Sequence, residues 1–283
     1  MRPRPAILPP QKVAVHFEGF AGTDLIVCKL VAFEGERVPN QLSEWMEAVV
    51  MSYKKTIVCL ANSRKKYPNR CVAGRELRRG NFGAWIRPVS DHPKGDLTLN
   101  HRRYEDGTDP KLLDVVTISF QEAQPQGCQK ENHLIDSNTR WVRERRITWD
   151  ELAPAVDHVA GPLWVNGHSG SNGTNDRIPE DIAKELRSSL LLIEPEQLKI
   201  TVAMEGGYDK PARKKVRARF RLNGHDYLLA VTDPPIEDKY SKKEEGDYTV
   251  RTAARLCISI GESFNGFCYK LVAGMITPDR VRD

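Results

Sequence analysis

The sequence predicts a mainly β protein, and three observations lead to this prediction. From residue 56 onward, short apolar stretches with alternating character are separated by Gly, Pro and Asn turns. The dipeptide Asn223-Gly224 lies between two such stretches, and this is the strongest short-range signal of a β-hairpin. Two strand-rich segments of similar size flank a stretch rich in turn residues. The pattern is typical of all-β barrels or sandwiches rather than of alternating strands and helices.

The first strand-rich segment follows a change in the character of the chain. Residues 1–50 contain short alternating runs and one helical pattern, and Met51 precedes a clean strand start. We interpret residues 1–50 as an N-terminal extension that the fold does not require, as the result of a start upstream of a natural start at Met51, or as an ordinary strand pair and helix. Beyond them, runs rich in β-branched and aromatic residues predict strands. These strands are expected at 56–61, 70–74, 83–89 and 113–121.

The middle of the chain has the composition of a connector. Residues 166–175 consist of Asn, Gly, His, Ser and Thr and predict a loop. Residues 179–188 open with Pro179 and acidic side chains, which indicates a helix start. Strands are expected again at 198–204, 214–222, 225–232, 255–260 and 267–276, with a second hairpin turn at 261–266.

The composition excludes several classes of protein. The 283 residues include 43 Lys and Arg against 38 Asp and Glu, so the net charge of +5 does not by itself indicate a polyanion partner. Six cysteines are scattered without a CxxC pair, which is typical of reduced thiols rather than of a disulfide framework. No apolar stretch is long enough to cross a bilayer. We therefore expect a cytoplasmic protein.

A row of basic side chains follows one face of the strand predicted at 214–222. Alternation places the members of this row on the face opposite Val216, Ala218, Phe220 and Leu222. A two-residue turn would pair Phe220 with Tyr227 and would leave only one arginine opposite an acidic residue, Asp226. The row suits a phosphate backbone, although strands also carry such residues to prevent aggregation. Its members are Lys215, Arg217, Arg219 and Arg221.

A second basic surface is predicted within residues 54–89, where many Lys and Arg residues accompany a single acidic residue, Glu76. Tyr67, Phe82 and Trp85 are interleaved with them. Cations that follow a backbone and rings on which bases stack are typical of single-strand binders. Trp85 also fits the core of a strand, and the pattern does not decide between the two roles. The nucleic-acid-binding residues expected here are Arg64, Lys65, Lys66, Arg70, Trp85 and Arg87.

The sequence gives no sign of catalytic or metal chemistry. Cys128 and His133 are the one pair with a tolerable spacing for zinc, which needs four ligands. The acidic residues of 233–247 are mixed with lysines and follow Pro234-Pro235, a composition typical of a solvated loop. Neither a nucleophile elbow nor a phosphate-cradling Gly-rich motif is present. We expect no catalytic residues, no metal and no cofactor.

Several stretches resemble a family of bacterial proteins that contain a dual OB domain. The resemblance covers residues 51–276 and depends on 56–65, 70–74, 85–90, 103–107, 131–134 and 268–273. It implies a mainly β fold with two tandem OB-like β-barrels joined by a partly helical connector. With the strand pattern, it places the first barrel at 51–145, the connector at 146–188 and the second barrel at 189–277.

The resemblance also implies a partner, because OB-folds bind oligonucleotides. We therefore expect a protein that binds single-stranded or structured nucleic acid, DNA or RNA, without catalysis of its own. Fold alone does not fix function, so two alternatives stay open. One is a nucleic-acid-processing enzyme, and the other is a protein-interaction module that docks a neighbouring effector protein.

Overall fold

A computed structural model describes residues 52–65, 67–206 and 211–282. The interpretation of residues 1–50 and the prediction for Lys66 lie outside these residues. Residues 54–283 form one compact unit. Within the described part of the chain, no helix has both the length and the apolar character needed to span a membrane.

The first sheet contains six strands in the order β1-β2-β3-β5-β4-β6, and β1 also pairs with β4. The first three strands form an antiparallel meander, and the fifth returns parallel to the third. A short helix, α1 (Leu99–Arg102), lies between the third and fourth strands. The strands are β1 (Tyr53–Arg64), β2 (Arg70–Arg78), β3 (Asn81–Val89), β4 (Asp114–Ala123), β5 (Asn132–Ile135) and β6 (Val142–Arg146).

The second sheet has the order β12-β9-β10-β11-β14-β13-β8, with β7 on β14. Its strands are β7 (Arg177–Pro179), β8 (Leu190–Ile193), β9 (Glu196–Glu205), β10 (Arg213–Leu222), β11 (His225–Val231), β12 (Gly246–Thr249), β13 (Arg255–Phe264) and β14 (Phe267–Ile276). Helices α2 (Glu180–Lys184) and α3 (Pro234–Tyr240) and the 3₁₀ turns Ala153–Ala155 and Pro278–Val281 complete the elements.

The pairings of β1 to β5 recur in the second sheet, whereas β6, β7 and β12 have no counterpart in the other sheet. In the second, β9, β10 and β11 form the meander, β14 returns parallel to β11, and α3 lies before β13. β8 and β9 share the role that β1 has alone, because β8 pairs with β13 and β9 pairs with β10. Pro195 lies at the break between them, where the missing N–H interrupts the ladder. The predicted class, mainly β with two OB-type units, is confirmed. We call the first sheet with its helix the first unit, and the second sheet with its helices the second unit.

The β10–β11 hairpin forms in the predicted register. Phe220 pairs with Tyr227 and Ala218 with Leu229. Asn223 and Gly224 both have positive φ, at 50° and 79°, as a two-residue type I′ turn requires. The rings of Phe220 and Tyr227 stack at 5.2 Å inside the core of the second unit. The local sequence therefore determines this register.

Two regions differ from their predicted structure. Residues 233–240 are not simply a solvated loop, because Pro234 and Pro235 open α3 and Asp233 before it is buried. Its carboxylate accepts hydrogen bonds from Arg280 at 2.7 and 3.2 Å. Helix α2 is shorter than predicted and ends at Lys184.

The two sheets share one apolar core. The first sheet contributes residues of β1 to β4, and the second contributes residues of β8, β13 and β14, so the sheets pack directly against each other. Ile147, Leu152 and Ala155 of the predicted connector belong to the same core. The buried residues from the sheets include Leu60, Ala61, Ala73, Trp85, Leu190, Leu192, Cys257 and Ala273.

Gly274 of β14 marks a close approach of the two sheets. A Cβ at this position would overlap the carbonyl oxygen of Leu60 in β1. We predict that Gly274→Ala lowers the free energy of unfolding by about 1–3 kcal/mol, because backbone must move to relieve the overlap. Chemical denaturation monitored by circular dichroism measures the change.

Gly261→Ala is the matched control for this substitution. The nearest atom to a Cβ there is Leu271 Cδ1 at 3.5 Å, an ordinary van der Waals contact. This variant should keep the wild-type stability within about 0.5 kcal/mol. Equal stability of the two variants would contradict the close packing of the sheets.

Lys270 of β14 is fully buried inside the second unit. Its Nζ donates hydrogen bonds to the Val165 carbonyl at 2.6 Å and to Asn166 Oδ1 at 3.2 Å, and it lies over the Tyr227 ring. Burial lowers the pKa of Lys270 to about 7, although Asp176 acts in the opposite direction. The neutral amine is therefore favoured in the folded state above that pH.

The buried lysine predicts a pH dependence of stability. The unfolded chain keeps the proton up to a pKa of about 10.4, so it binds more protons than the folded chain between pH 7 and 10. This group's contribution to the free energy of unfolding must therefore rise with pH across that window. In Lys270→Met the rise is absent, so the stability difference between variant and wild type should shift in favour of the wild type from pH 6 to 10. Urea unfolding at several pH values tests this, and a constant difference would contradict it.

Candidate nucleic-acid interface

The structure corrects the prediction that Arg87 contacts nucleic acid from the surface. This side chain is 4% exposed, on a part of β3 that faces the second sheet. Its guanidinium contacts Glu131 at 3.1 Å and donates hydrogen bonds to Ser189 Oγ at 2.7 Å and Ser259 Oγ at 3.3 Å. Arg87 therefore joins the sheets and is not available to a strand of nucleic acid.

Trp85 is a core residue and not a stacking platform. Its ring is 7% exposed and belongs to the core shared by the two sheets. The indole Nε1 donates to Asp157 Oδ2 at 3.3 Å, and the Arg75 guanidinium lies 5.4 Å from the ring centroid. The ring is buried because its side of β3 is covered by the second sheet and by the segment that contains Asp157.

These contacts change which surface of the first unit can bind a ligand. OB-folds bind oligonucleotides on the face of strands 2 and 3 and on loops 1–2 and 4–5. In the first unit, Ala73 of β2 and Trp85 and Arg87 of β3 are buried against the second unit. Part of the strand face is therefore covered, whereas its loops are on the surface.

Three of the predicted cations at the end of β1 and the start of β2 have different surroundings. Arg64 contacts Glu237 and Asp238 of the α3 region, each at 2.8 Å. Lys65 contacts Glu262 of β13 at 2.7 Å. Arg70 is half-buried and makes no ion pair with any residue that the structure describes. Arg64 and Lys65 therefore form ion pairs between the two units, whereas the charge of Arg70 has no ion-pair partner among the described residues.

The arginine row of β10 has acidic partners that the hairpin alone does not reveal. The prediction that Arg217 and Arg219 lack such partners is wrong. Arg217 contacts Glu205 at 2.5 Å and lies 3.8 Å from Asp176, and Arg219 lies 3.7 Å from Asp247. The reason is that β10 has a second neighbour, β9, with β12 beyond it, and these strands supply Glu205 and Asp247.

The outer part of this row is open to solvent. The side chains of Arg219 and Arg221 are 49% and 43% exposed, and Lys215 is exposed as well. Arg221 lies 3.4 Å from Asp226, its predicted hairpin partner. Lys199 of β9 pairs with Arg219 and adds another exposed cation. Contact of these residues with nucleic acid stays a prediction.

Two large aromatic side chains are exposed where the two units meet. Tyr67, in the loop between β1 and β2, is 81% exposed, and Phe264, at the end of β13, is 62% exposed. Their loops lie side by side, because Lys65 and Glu262, each two residues from one of these rings, form an ion pair at 2.7 Å. We call the β1–β2 loop, the β4–β5 loop and the β13–β14 hairpin together the loop surface.

Two cavities open on the loop surface, with volumes of about 330 and 380 Å³. The first lies between the β4–β5 loop and the segment after β3, and it is lined by Gln124, Gln126, Asn132 and Lys94. The second is lined by Phe264 and Tyr269 of the second unit together with Lys65. Amides, cations and exposed rings are therefore concentrated in one region.

One group of side chains near this surface has the composition of a metal site. Ligand atoms of Asp91, His92 and His101 lie within 4.8 Å of one another. However, His101 Nδ1 accepts a hydrogen bond from the Thr98 backbone N–H at 3.3 Å, which leaves the ring proton on Nε2. The group is therefore better suited to capping α1 than to binding a cation.

The pair weighed for zinc in the sequence has no such geometry. His133 packs against the Phe120 ring with centroids 5.4 Å apart, and Cys128 directs its thiol toward the Gly261 carbonyl. Burial lowers the pKa of His133 to about 4. The imidazole is therefore neutral at physiological pH because of its surroundings.

Two units with the OB strand pairing, joined through one core, define an OB-type module. The family model described as "Dual OB-containing domain" matches residues 55–275. The chain belongs to this family. No curated protein and no solved structure matches the chain.

Sequence reasoning missed Phe264 as an exposed ring. The signal was available, because Phe264 directly precedes the turn Asn265-Gly266, whose positive φ values of 49° and 76° make a two-residue hairpin. A ring beside such a turn lies at the tip of a hairpin, where the core does not reach. The acidic partners of Arg217 and Arg219 carry no comparable local signal, because Glu205 and Asp247 lie on other strands, outside the β10–β11 hairpin.

The ion pairs of the row predict unequal effects of substitution. Arg217→Gln should lower the free energy of unfolding by about 1–3 kcal/mol, because it leaves Glu205 partly buried without its cation. Arg219→Gln should change it by less than about 0.5 kcal/mol, because that pair is long and exposed. Urea unfolding at neutral pH compares the two variants, and equal losses would contradict the geometry.

Proposed function

We propose that this protein binds single-stranded or structured nucleic acid at the loop surface, without catalysis of its own. The observation that carries the proposal is the position of the two exposed rings. Tyr67 lies in loop 1–2 of the first unit, and Phe264 is the last residue before loop 4–5 of the second. OB-folds use these loops to hold oligonucleotides.

The exposed rings favour unpaired bases as the ligand. Every base has a π-face, and stacking on a protein ring contributes about 1–3 kcal/mol per base. Leaving rings such as Tyr67 and Phe264 in water has no benefit for folding. Their exposure at adjacent loops is explained if each receives a base from a strand that crosses the surface.

The polar groups of the loop surface suit the other parts of a nucleotide. Gln124 and Gln126 in the β4–β5 loop line a cavity beside Lys94. Amides can donate to and accept from base edges, and cations contact phosphates. The loop surface therefore has groups that can contact the faces of bases, the edges of bases and the phosphate backbone.

The exposed cations of β10 provide a second area for the backbone. Lys215, Arg219 and Arg221 lie on the open face of the second unit, although Asp247 and Asp226 reduce their net charge. We expect this face to add phosphate contacts without sequence preference. A longer strand would therefore bind more tightly than a short one.

Replacing both exposed rings tests the proposal directly. The double variant Tyr67→Ala, Phe264→Ala should bind single-stranded DNA or RNA about 10- to 1000-fold more weakly, as expected for the loss of one or two stacked bases. Its melting temperature should stay close to the wild-type value, because both rings are exposed. Fluorescence anisotropy with labelled single-stranded and duplex DNA and RNA, at several salt concentrations, measures the affinity.

Val142→Ala is the control, because Val142 is an exposed apolar residue away from the loop surface, in β6. Wild-type affinity in the double variant would rule out the loop surface as the site. If none of these nucleic acids binds with an affinity that falls with salt, the protein-interaction module is favoured, since only a polyanion releases counterions steeply. Metal-dependent turnover of the strand would favour the processing enzyme.

A further inference from the structure

A cleft on another side of the junction has features that nucleic-acid binding at the loop surface does not use. We call it the junction cleft. It has a volume of about 460 Å³, and its walls come from the end of β1, the start of β2, residues 108–112 and the start of α3. This volume is in the range of small-molecule sites. Successive residues of a strand face opposite sides, and this separates the cleft from the loop surface. Asn62 and Arg70 line the cleft, whereas Ser63 and Cys71 line the cavity beside Phe264.

Arg70 is the unexplained group in this cleft. Its Nε is buried and has no hydrogen-bond partner among the described residues, and its guanidinium forms no ion pair with them. Burial lowers the pKa of Arg70; Arg102 and Arg64 act in the same direction, whereas Asp109 and Asp238 raise it. A partly buried cation without an ion pair is unfavourable, and an anion in the cleft would relieve it.

The acidic residues of the cleft already form ion pairs with arginines. Asp109 accepts two hydrogen bonds from Arg102, at 2.7 and 3.0 Å. Asp233 is held in the same way by Arg280. Lys111, which also lines the cleft, is exposed and forms no ion pair with the described part of the chain. The net charge available to a ligand in the cleft is therefore positive.

The remaining lining indicates more than a simple anion site. Asn62 donates through Nδ2 to the Pro110 carbonyl at 2.8 Å, which fixes the amide so that Oδ1 faces away. This oxygen is buried and accepts no hydrogen bond from any described residue. Pro110, Pro234 and Pro235 add apolar surface. A ligand that fits the open part of the cleft has an anion for Arg70 and Lys111 and a flat apolar part for the prolines.

We infer that the junction cleft binds a nucleoside phosphomonoester, with the phosphate at Arg70 and Lys111 and the base against the prolines. This chemistry is shared by a free mononucleotide and by the phosphorylated end of a strand. A phosphomonoester carries a charge of about −1.5 to −2 and three free oxygens, so it attracts two cations more strongly than a phosphodiester within a strand does.

Calorimetric titration of the full chain with the four nucleoside 5′-monophosphates tests this inference. Wild-type protein should bind at least one of them, and should bind the matching nucleoside without phosphate at least about tenfold more weakly. Arg70→Gln should weaken nucleotide binding about 10- to 100-fold, as expected for lost hydrogen bonds to a charged group. Arg187→Gln, at an exposed cation away from the cleft, is the control and should bind as the wild type does.

The ligand-free Arg70→Gln protein should be at least as stable as the wild type, because the guanidinium has no carboxylate to lose. If this variant does not fold, Lys111→Gln at an exposed position tests the same cleft. Absence of binding by all four nucleotides and no preference for phosphorylated strand ends would overturn the inference. Unchanged nucleotide affinity in the variants would overturn it as well.

Oligonucleotides with 5′-phosphate, 3′-phosphate or hydroxyl ends distinguish the two sources of the phosphate. A strand-end ligand predicts tighter binding of a phosphorylated oligonucleotide, and this advantage should disappear in Arg70→Gln. A free mononucleotide predicts equal binding of all three strands. Hydroxyl-ended strands report on the loop surface alone, so failure of the junction cleft and failure of the nucleic-acid proposal give different results.

Discussion

The burial of Arg87 between the two sheets is the constraint on which the rest of the structure depends. Moving a guanidinium out of water is unfavourable by several kcal/mol unless partners replace the water. Glu131 of the first unit supplies the counter-charge, and Ser189 and Ser259 of the second unit supply acceptors. The partners must all be in place together, so the two units have one relative position. Trp85 and Ala73 of the first unit add apolar packing between the two sheets.

This junction explains where ligands can and cannot bind. It covers part of the strand face that an OB-type unit would otherwise offer, and it brings the β1–β2 loop beside the β13–β14 hairpin through Lys65 and Glu262. The surface left for a ligand is therefore composite, with one exposed ring from each unit. Neither unit alone would present Tyr67 and Phe264 together.

Much of the fold could be predicted from local signals, whereas the site could not. The register of β10 and β11 follows from Asn223-Gly224 and from alternation, both of which act within a few residues. The strands β5 and β6 have only four and five residues, and the latter reads Val-Arg-Glu-Arg-Arg, so no apolar run reveals them. The burial of Trp85 and Arg87 depends on residues about 100 to 170 positions away, such as Ser189 and Ser259. A basic strand segment looks the same in sequence whether its charges face solvent or a second domain.

The sharing of one core has a consequence for how such a protein can change over time. Two units that fold independently can be duplicated, exchanged or lost singly, because each brings a finished surface. Here Trp85, Ala73 and the Arg87–Glu131 pair would meet water if the second unit were removed. A chain that kept only the first unit would have to replace that face with polar residues at several positions at once. We therefore expect the two units to be inherited together, although the pairings of their main strands repeat one pattern.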